Sequence, residues 1–258
     1  MDVQLPRTGT SSSVERAFEL LDRIAAAGPD GITLAQLAAD TPKAKSTTHR
    51  YVSTLLGLGV LRRDEAGRLH LGLKLVELAG ALLEGDNLRA AAEPVLHELM
   101  ARTGETVHLG VPAEDHVVYI AKVESPQSVR LVSRIGARAP FHCSAMGKAI
   151  LSVLDGDALR GALALPREVR TIHTITATDP LAAELGRVRL AGVAIDDEEN
   201  ELGVRCVGAA VRGPRAQPIA AISVSGPATR MTHERCVEIT PAVIAAAGEI
   251  ARRLGHKA

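Results

Sequence analysis

The chain has 258 residues, of which 46% are apolar and 2% aromatic, with 30 basic side chains against 30 acidic ones and no tryptophan. This composition supplies an aliphatic core for one large domain or two modest ones. It excludes a strongly polybasic protein and a row of aromatic rings for stacking single-stranded nucleic acid. The first twelve residues lack the apolar segment of a secretory signal and are expected to form a disordered tail. Three cysteines without CxxC spacing, and no uncharged run of membrane-spanning length, favour a soluble cytoplasmic protein.

Residues 13–72 have the element order of a winged helix-turn-helix. A capping box at 12–15 and a second at 33–36, each followed by apolar residues at helical spacing, predict two helices. Ser46 is the expected cap of a third helix that ends near Gly57. Two short runs, 60–63 and 68–71, flank a polar turn and predict a hairpin. Three helices followed by a hairpin indicate a DNA-docking unit.

The segment 73–87 is rich in Leu and Ala and predicts a helix that is apolar on more than one face. It is either a buried helix or a linker that also pairs with another subunit, and the sequence leaves both open. From residue 88 to 258, helices are predicted near 89–102, from 145 onward, at 180–190 and at 233–254. Strands are predicted at 107–111, 117–121, 129–135, 193–195, 204–211 and 219–225. This mixture indicates an α+β domain with helices packed on an antiparallel sheet.

The third helix separates into a buried face and a basic outward face. Five Lys and Arg residues and no acid lie between Asp40 and Asp64, although the whole chain is neutral. Around Val52, the 100° periodicity places Thr48, Leu55 and Leu56 on the buried side and leaves hydroxyls, a phenol and Arg50 on the other. Such side chains suit base edges and phosphates. The residues predicted to contact DNA are Lys43, Lys45, Ser46, Thr47, Arg50, Tyr51, Thr54, Arg62, Arg63 and Arg68.

Taken alone, a basic helix is more often a solvated face than a binding surface. The preceding helix, the short turn at 40–42 and the following hairpin favour DNA.

Three features of the second domain carry possible chemistry. In the segment 142–148, small residues precede a predicted helix whose first backbone N–H groups suit a carboxylate. The segment is not a P-loop, because it lacks that motif's first Gly and its Ser/Thr. The acidic run at 196–201 is typical of a solvated turn, and a metal site is the weaker interpretation. Ser223 and Ser225 alternate on one strand, so both face one side of the sheet, where a polar ligand can satisfy them.

Several motifs together resemble the IclR family of bacterial transcriptional regulators. They are 45–50 (KSTTHR), 55–59 with the hairpin to Gly72, 103–109 (TGETVHL), 145–149 (AMGKA), 196–199 (DDEE) before 203–206 (GVRC), and 223–227 (SVSGP). The resemblance covers roughly residues 13–255. It implies a winged helix-turn-helix, a linker helix and a GAF/profilin-like effector domain. It also implies a dimer or tetramer on double-stranded operator DNA, and allows both repressors and activators.

The resemblance also implies a pocket for a small organic acid. Its expected lining is Leu131, Ala139, Ala145, Met146, Asp196, Cys206, Ser223 and Ser225, with Leu131 and Ala139 as the apolar candidates that set effector size. No cofactor, metal or membrane is expected. The chain departs from the family at 41–44 (TPKA), which puts the start of the third helix in doubt.

Two alternatives stay open at this point. One is a cysteine-dependent enzyme in which Cys206 or Cys143 is the nucleophile. Its base would be His108, His142 or His173, and Asp196 would orient that histidine. The other is a protein-interaction module, since winged helices also bind proteins. Neither accounts for the basic third helix as directly as DNA binding does.

Overall fold

A computed structural model describes residues 13–39, 45–84 and 87–256. The chain divides into two compact units, Met1–Gly85 and Asp86–Ala258. The predicted tail, and Ser12 of the first capping box, lie outside the described residues. Within the described ranges, no helix has the length and apolar character needed to cross a membrane.

The first unit is a helical core closed by a hairpin. Its elements are α1 (Ser13–Ala26), a 3-10 turn (Gly28–Asp30), α2 (Leu34–Ala39), α3 (Lys45–Gly57), β1 (Leu61–Arg63), β2 (Leu69–Leu71) and α4 (Lys74–Glu84). The two strands pair antiparallel, and Ile32 bridges to Leu69 at the outer edge. Aliphatic residues from α1, α2, α3 and both strands, among them Leu20, Leu37 and Val52, form one buried cluster. The winged helix-turn-helix predicted from the element order is therefore present.

The helix starts follow local hydrogen bonding. The backbone N–H of Thr33 donates to Gln36 Oε1 at 3.0 Å, and the N–H of Gln36 donates to Thr33 Oγ1 at 3.2 Å, so the second capping box is confirmed. The prediction that Ser46 caps α3 is wrong, because the helix begins at Lys45 and Ser46 lies inside its first turn. Lys45 is a good helix former and extends the helix back by a residue.

The second unit is a six-stranded antiparallel sheet with helices on both faces. Its elements are α5 (Asn87–Thr103), β3 (Thr106–Pro112), β4 (His116–Val123), β5 (Arg138–Pro140), α6 (Ala145–Val153), α7 (Gly156–Ala164), α8 (Thr178–Ala191), β6 (Ala194–Asp197), β7 (Val204–Arg212), β8 (Pro218–Pro227) and α9 (His233–Arg253). The strand order is β5-β4-β3-β8-β7-β6, and every neighbouring pair is antiparallel. The predicted α+β class is confirmed.

The two faces of this sheet differ in polarity. Alternate residues such as Val107, Val207 and Val224 pack against α5 and α9 in a large aliphatic core. The intervening residues point towards α6, and they include His108, Asp196, Cys206, Ser223 and Ser225. All five are buried. Because side chains alternate along strands, the sequence pattern that builds the aliphatic core also creates a polar wall on the other face.

The predicted strand at 129–135 is wrong. Residues 124–137 have no strand or helix, and Val129, Val132 and Ile135 are exposed, Val132 by 93%. The free edge of β4 is taken by β5, which begins at Arg138. Three β-branched residues gave the segment strand character, but no partner strand is available to it. The helix α7 was not predicted, because it buries no residue fully and so has a weak apolar pattern.

A candidate DNA-binding face and a candidate effector cavity

The helix α3 packs one face on the core and exposes the other. Thr48, Val52 and Leu55 are buried, whereas Arg50 and Thr54 are exposed. The Thr54 hydroxyl donates to the carbonyl of Arg50 at 3.0 Å, so its proton is used inside the helix and only its oxygen can still accept. Thr47 is half-buried. Lys43, and the side chains of Lys45 and Ser46, lie outside the described residues.

Tyr51 joins α3 to α1. Its ring packs against the core cluster of the first unit, and the Arg50 guanidinium lies 5.9 Å from the ring centroid. The pKa of the Tyr51 phenol is lowered, first by a hydrogen bond with Ser13 and then by the nearby charges of Arg16 and Arg50. This phenol therefore anchors α1 in addition to facing outward, and the charges around it are positive.

The three arginines of the hairpin have different roles. Arg62 and Arg63 are exposed in β1, and neither has an ion-pair partner in the described part of the chain. The Arg68 guanidinium instead donates to the carbonyl of Asp30 at 3.1 Å, and its backbone N–H donates to Asp64 at 2.8 Å. Arg68 thus ties the hairpin to the 3-10 turn, while Arg62 and Arg63 have their guanidinium groups available.

A cavity of about 140 Å³ lies on the polar wall of the second unit. Of the residues expected in the effector pocket, it is lined by Leu131, Ala145, Met146, Asp196, Cys206, Ser223 and Ser225. Further lining residues that the sequence did not indicate are Tyr119, Val132, Ser133, Ala137, Ser144, Asn200, Glu201 and Val204. The irregular segment 124–137 therefore contributes one wall of the cavity.

Ala139 is the exception among the expected residues. It lies in β5 opposite Val117 and is buried with Val117 and Phe141 in the core beneath α6. Its expected place is taken by Ala137, two residues earlier.

The strand register brings the polar residues of the cavity together. Asp196 pairs with Cys206 across β6 and β7, and Cys206 pairs with Ser225 across β7 and β8. Ser223 lies two residues along β8, and its hydroxyl is 3.3 Å from that of Ser225. One carboxyl, one thiol and two hydroxyls thus form a continuous patch.

Asp196 is a buried carboxyl with a strongly perturbed pKa. Its Oδ1 atom accepts backbone N–H bonds from Glu199 at 2.9 Å and Asn200 at 3.2 Å. Burial raises the pKa of Asp196 to about 7, and the charge of Glu199 contributes in the same direction against the two backbone hydrogen bonds. Asp196 therefore keeps its proton to a much higher pH than an ordinary Asp carboxyl does.

The acidic run 196–201 is not the solvated turn expected from its composition. Asp196 and Glu199 are buried. Glu199 forms an ion pair with Lys148, which is fully buried and lies 3.3 Å from Glu184 as well. Asp197 pairs with Arg205 at 2.6 Å. Arg205 on the neighbouring strand and the distant Lys148 thus balance part of this acidic charge, and the Lys148 pair holds the run against α6.

The N-terminus of α6 faces the cavity. The Ser144 hydroxyl caps the helix by accepting from the Gly147 N–H at 3.1 Å, whereas the N–H groups of Ala145 and Met146 have no hydrogen-bond partner among the described residues. Gly208 of β7 permits this close approach, because a Cβ atom there would lie 2.9 Å from the Ala145 carbonyl carbon. Two free donors with a positive helix end thus point at the polar patch.

The geometry does not support a cysteine enzyme. Burial raises the pKa of the Cys143 thiol to about 12 and that of Cys206 well above its ordinary value, whereas nucleophilic cysteines have lowered values. Burial lowers the pKa of His108 to about 3, and its partner is the Ser133 hydroxyl. In the described residues, no three His, Cys, Asp or Glu side chains are grouped as metal ligands.

A winged helix-turn-helix with a basic outward helix, joined to an α+β domain with a small polar cavity, indicates a DNA-binding transcriptional regulator. The family description "IclR helix-turn-helix domain" matches residues 13–65, and "Bacterial transcriptional regulator IclR C-terminal" matches residues 80–252. The chain belongs to the IclR family. It is a regulator of transcription and not an enzyme.

Relatives agree over nearly the whole chain. The HTH-type transcriptional regulator KdgR of Escherichia coli (strain K12) is 35% identical over 247 residues, which are 95% of this chain and 93% of that protein. The transcriptional repressor IclR of the same organism is 34% identical over 254 residues, covering 97% and 92%. The crystal structure of the Thermotoga maritima IclR is similar with a TM-score of 0.76 and 35% identity, covering 94% of this chain and 98% of that one.

Proposed function

We propose that this regulator binds a small carboxylic acid in the cavity of its second unit, and that the bound acid changes the affinity of the first unit for operator DNA. The observation that carries the proposal is the meeting of two free backbone donors of α6, at Ala145 and Met146, with the hydroxyls of Ser223 and Ser225 on one cavity wall. Both N–H groups can donate to an anionic oxygen. One of the two hydroxyls can also donate to it, while the other donates to its neighbouring hydroxyl.

The electrostatics of the cavity support a carboxylate ligand. A helix N-terminus stabilises a negative charge, and here it does so out of water, where the interaction is stronger. Asp196 would repel an anion if it were ionised, but its pKa of about 7 allows it to bind the ligand as a neutral acid. The donors of Asp196 are the N–H groups of Glu199 and Asn200, so the N–H groups of Ala145 and Met146 are left for the ligand carboxylate.

Linkage connects the two units thermodynamically. If the acid changes DNA affinity by some factor, DNA must change the affinity for the acid by the same factor. Both affinities can therefore be measured on the full chain, and their agreement tests the coupling.

The cavity is tested by the double variant Ser223→Ala/Ser225→Ala. Titration calorimetry with a series of short monocarboxylic acids, followed by gel shift on a duplex from upstream of the protein's own gene, should show loss of acid binding with unchanged DNA affinity. Ser152→Ala is the matched control, because Ser152 is buried in α6 and, among the described residues, its hydroxyl bonds only to the Ala149 carbonyl. Loss of DNA binding in the double variant, or acid binding that survives it, would overturn the cavity assignment.

We further propose that Arg50, Thr47, Thr54, Arg62 and Arg63 contact the duplex. Arg50→Ala should weaken operator binding, because a contact between the guanidinium and the duplex is lost. A lost phosphate contact also reduces the slope of log affinity against log salt by about one, whereas a lost base contact relaxes sequence specificity. Arg160→Ala carries the same charge change on the exposed surface of α7 and should have no effect. Equal binding of the duplex by wild type and Arg50→Ala would show that the assignment of Arg50 as a DNA contact is wrong.

A single winged helix contacts few base pairs, so operator recognition is expected to use two or more copies of the chain. We propose a dimer or a tetramer. Sedimentation equilibrium of the free chain and of its complex with the same duplex distinguishes these from a monomer.

A further inference from the structure

The carboxylate site proposed above is built from two separate parts of the chain. One part is the first turn of α6, which supplies the N–H groups of Ala145 and Met146. The other part is the acidic run 196–201, which supplies Asp196, Asn200 and Glu201 to the cavity lining. A ligand that contacts both parts binds well only if the distance between them is fixed.

Lys148 joins the two parts from outside the cavity. It lies in α6 and is fully buried, and its ammonium group forms an ion pair with Glu199 of the acidic run. Its second partner is Glu184 of α8, at 3.3 Å. Among the described residues, neither Lys148 nor Glu199 lines the cavity. Lys148 therefore contacts the frame of the site and not the space in which the acid would bind.

Glu199 is connected in turn to the residues that line the cavity. Its backbone N–H donates to Asp196 Oδ1 at 2.9 Å, and the next N–H, that of Asn200, donates to the same oxygen at 3.2 Å. The Cys143 thiol, just before α6, donates to the Asn200 side chain at 3.8 Å. A displacement of Glu199 would therefore move Asp196 and Asn200 with it.

Stability alone does not account for the Lys148–Glu199 pair. Burying an ion pair costs desolvation free energy that its attraction only partly offsets, so an apolar pair of similar volume is often as stable or more stable. Glu199 Oε2 is also buried without a hydrogen-bond partner in the described part of the chain, which adds to the cost. A charge-assisted hydrogen bond does, however, hold two groups at one distance and angle, and an apolar contact does not.

Resting on the proposed carboxylate site, we propose that Lys148 is a positioning residue of that site. Its ion pair with Glu199 holds the acidic run against α6 and so sets the distance between Asp196 and the first N–H groups of the helix. The pair contacts no ligand atom. It raises the affinity for the acid by fixing both parts before the acid binds, so that less conformational entropy is lost on binding.

Two variants that differ only at residue 148 test this role on the full chain. Glu199→Gln keeps a side-chain oxygen for Lys148, whose charge stays paired with Glu184. Lys148→Met/Glu199→Gln removes the bond between the two parts. Titration calorimetry with acetate, propanoate and butanoate should give nearly wild-type affinity for Glu199→Gln. The double variant should bind about tenfold more weakly or worse, because a misplaced part of the site loses one hydrogen bond to the anion.

A second readout separates position from stability. The Cys143 thiol bonds to Asn200, so its labelling by iodoacetamide, followed by mass spectrometry, should be faster in the double variant than in Glu199→Gln. Ile250→Ala is the matched control for lost stability, because Ile250 is fully buried in the aliphatic core on the other face of the sheet. Its folded protein should show the wild-type acid affinity and the wild-type labelling rate.

A double variant that matches Glu199→Gln in acid affinity or in Cys143 labelling would overturn the positioning role and leave the carboxylate site standing. An equal loss of acid affinity in Ile250→Ala would also overturn it, because the loss would then reflect stability alone. If none of the three acids binds wild type, the carboxylate site fails and the positioning role fails with it. If the double variant does not fold, Glu199→Ala decides, since it leaves Lys148 paired with Glu184: weakened acid binding supports the role, and unchanged binding overturns it.

Discussion

Replacing Asp196 by Asn should stabilise the second unit, and increasingly so as the pH rises. The ordinary pKa of an Asp carboxyl is 3.8 and that of buried Asp196 is about 7. At about 1.4 kcal/mol per pH unit, this difference corresponds to roughly 4 kcal/mol of destabilisation when the group is ionised in both the folded and the unfolded chain. An Asn side chain keeps the oxygen that accepts the two backbone N–H groups and removes the charge.

The direction follows from proton binding. Between the two pKa values the folded state holds a proton on Asp196 that the unfolded state has released. The contribution of Asp196 to stability is therefore fully present below about pH 4 and is lost as the pH rises to about 7 and beyond. Asp196→Asn should differ little from wild type near pH 4 and should be more stable by up to roughly 4 kcal/mol near pH 9.

The chain offers a specific probe for this experiment. It contains two tyrosines and no tryptophan, with Tyr51 in the first unit and Tyr119 in the second. In a Tyr51→Phe background, tyrosine fluorescence during urea unfolding reports the second unit alone, and Tyr51→Phe with Asp196 retained is the control. Taking the difference between the two proteins removes the titration of all other groups. A difference that stays constant from about pH 4 to about pH 9 would refute the assignment of a raised pKa to this carboxyl.

Three further predictions concern buried groups. Lys148→Met should destabilise the second unit by about 3–5 kcal/mol in urea unfolding, because it leaves Glu199 charged and unpaired. Adding Glu199→Gln should restore much of the lost stability. Equal stability of the single and double variants would contradict this. Gly147→Ala should prevent α6 from packing in its place and lower the melting temperature, because the added Cβ would lie 2.5 Å from the backbone of Phe141. Gly161→Ala, in open space within α7, should melt at or slightly above the wild-type temperature. A Gly147→Ala protein that melts like the Gly161→Ala protein would count against this. Cys143, with a pKa raised to about 12, should react with iodoacetamide far more slowly in the folded than in the urea-unfolded protein, and similar rates by mass spectrometry would show that it is accessible.

Local patterns predicted the first unit well because its contacts are local. Capping residues and helical spacing located α1 and α2, and two short runs around a polar turn located the hairpin. The projection of α3 correctly separated Thr48 and Val52 from Arg50. The hydrogen bond from the Arg68 guanidinium to the Asp30 carbonyl joins residues 38 positions apart in the sequence. No local sequence pattern predicts such a bond.

The cavity was only partly predictable, because a β-bulge reverses which side chains face it. The register of β3 and β4 shifts between Leu109 and Gly110, which oppose Ala121 and Tyr119 and leave Ile120 unpaired. Simple alternation back from Val123 would put Tyr119 in the aliphatic core; the bulge turns it to the cavity face. Ser223 and Ser225 lie on an unbroken strand, and there alternation gave the correct side.

The acidic run shows the same limit for charge. Composition indicated a solvated turn, but Lys148 lies 51 residues from Glu199 and neutralises it in the interior. Which distant cation reaches a carboxylate depends on the packing of α6, and that packing depends on small residues such as Gly208 in another strand.

The order in which the strands are made has a consequence for synthesis. The strand β8 lies at the centre of the sheet, between β3 and β7, yet it is the last strand to leave the ribosome. The first unit is complete by residue 85 and has a local core, so it can fold while the sheet still lacks its middle. A nascent or prematurely ended chain that stops before Pro218 would therefore carry a finished helix-turn-helix but lack Ser223 and Ser225 of the cavity wall. Under the proposed function, any DNA binding that it retained would not respond to the acid.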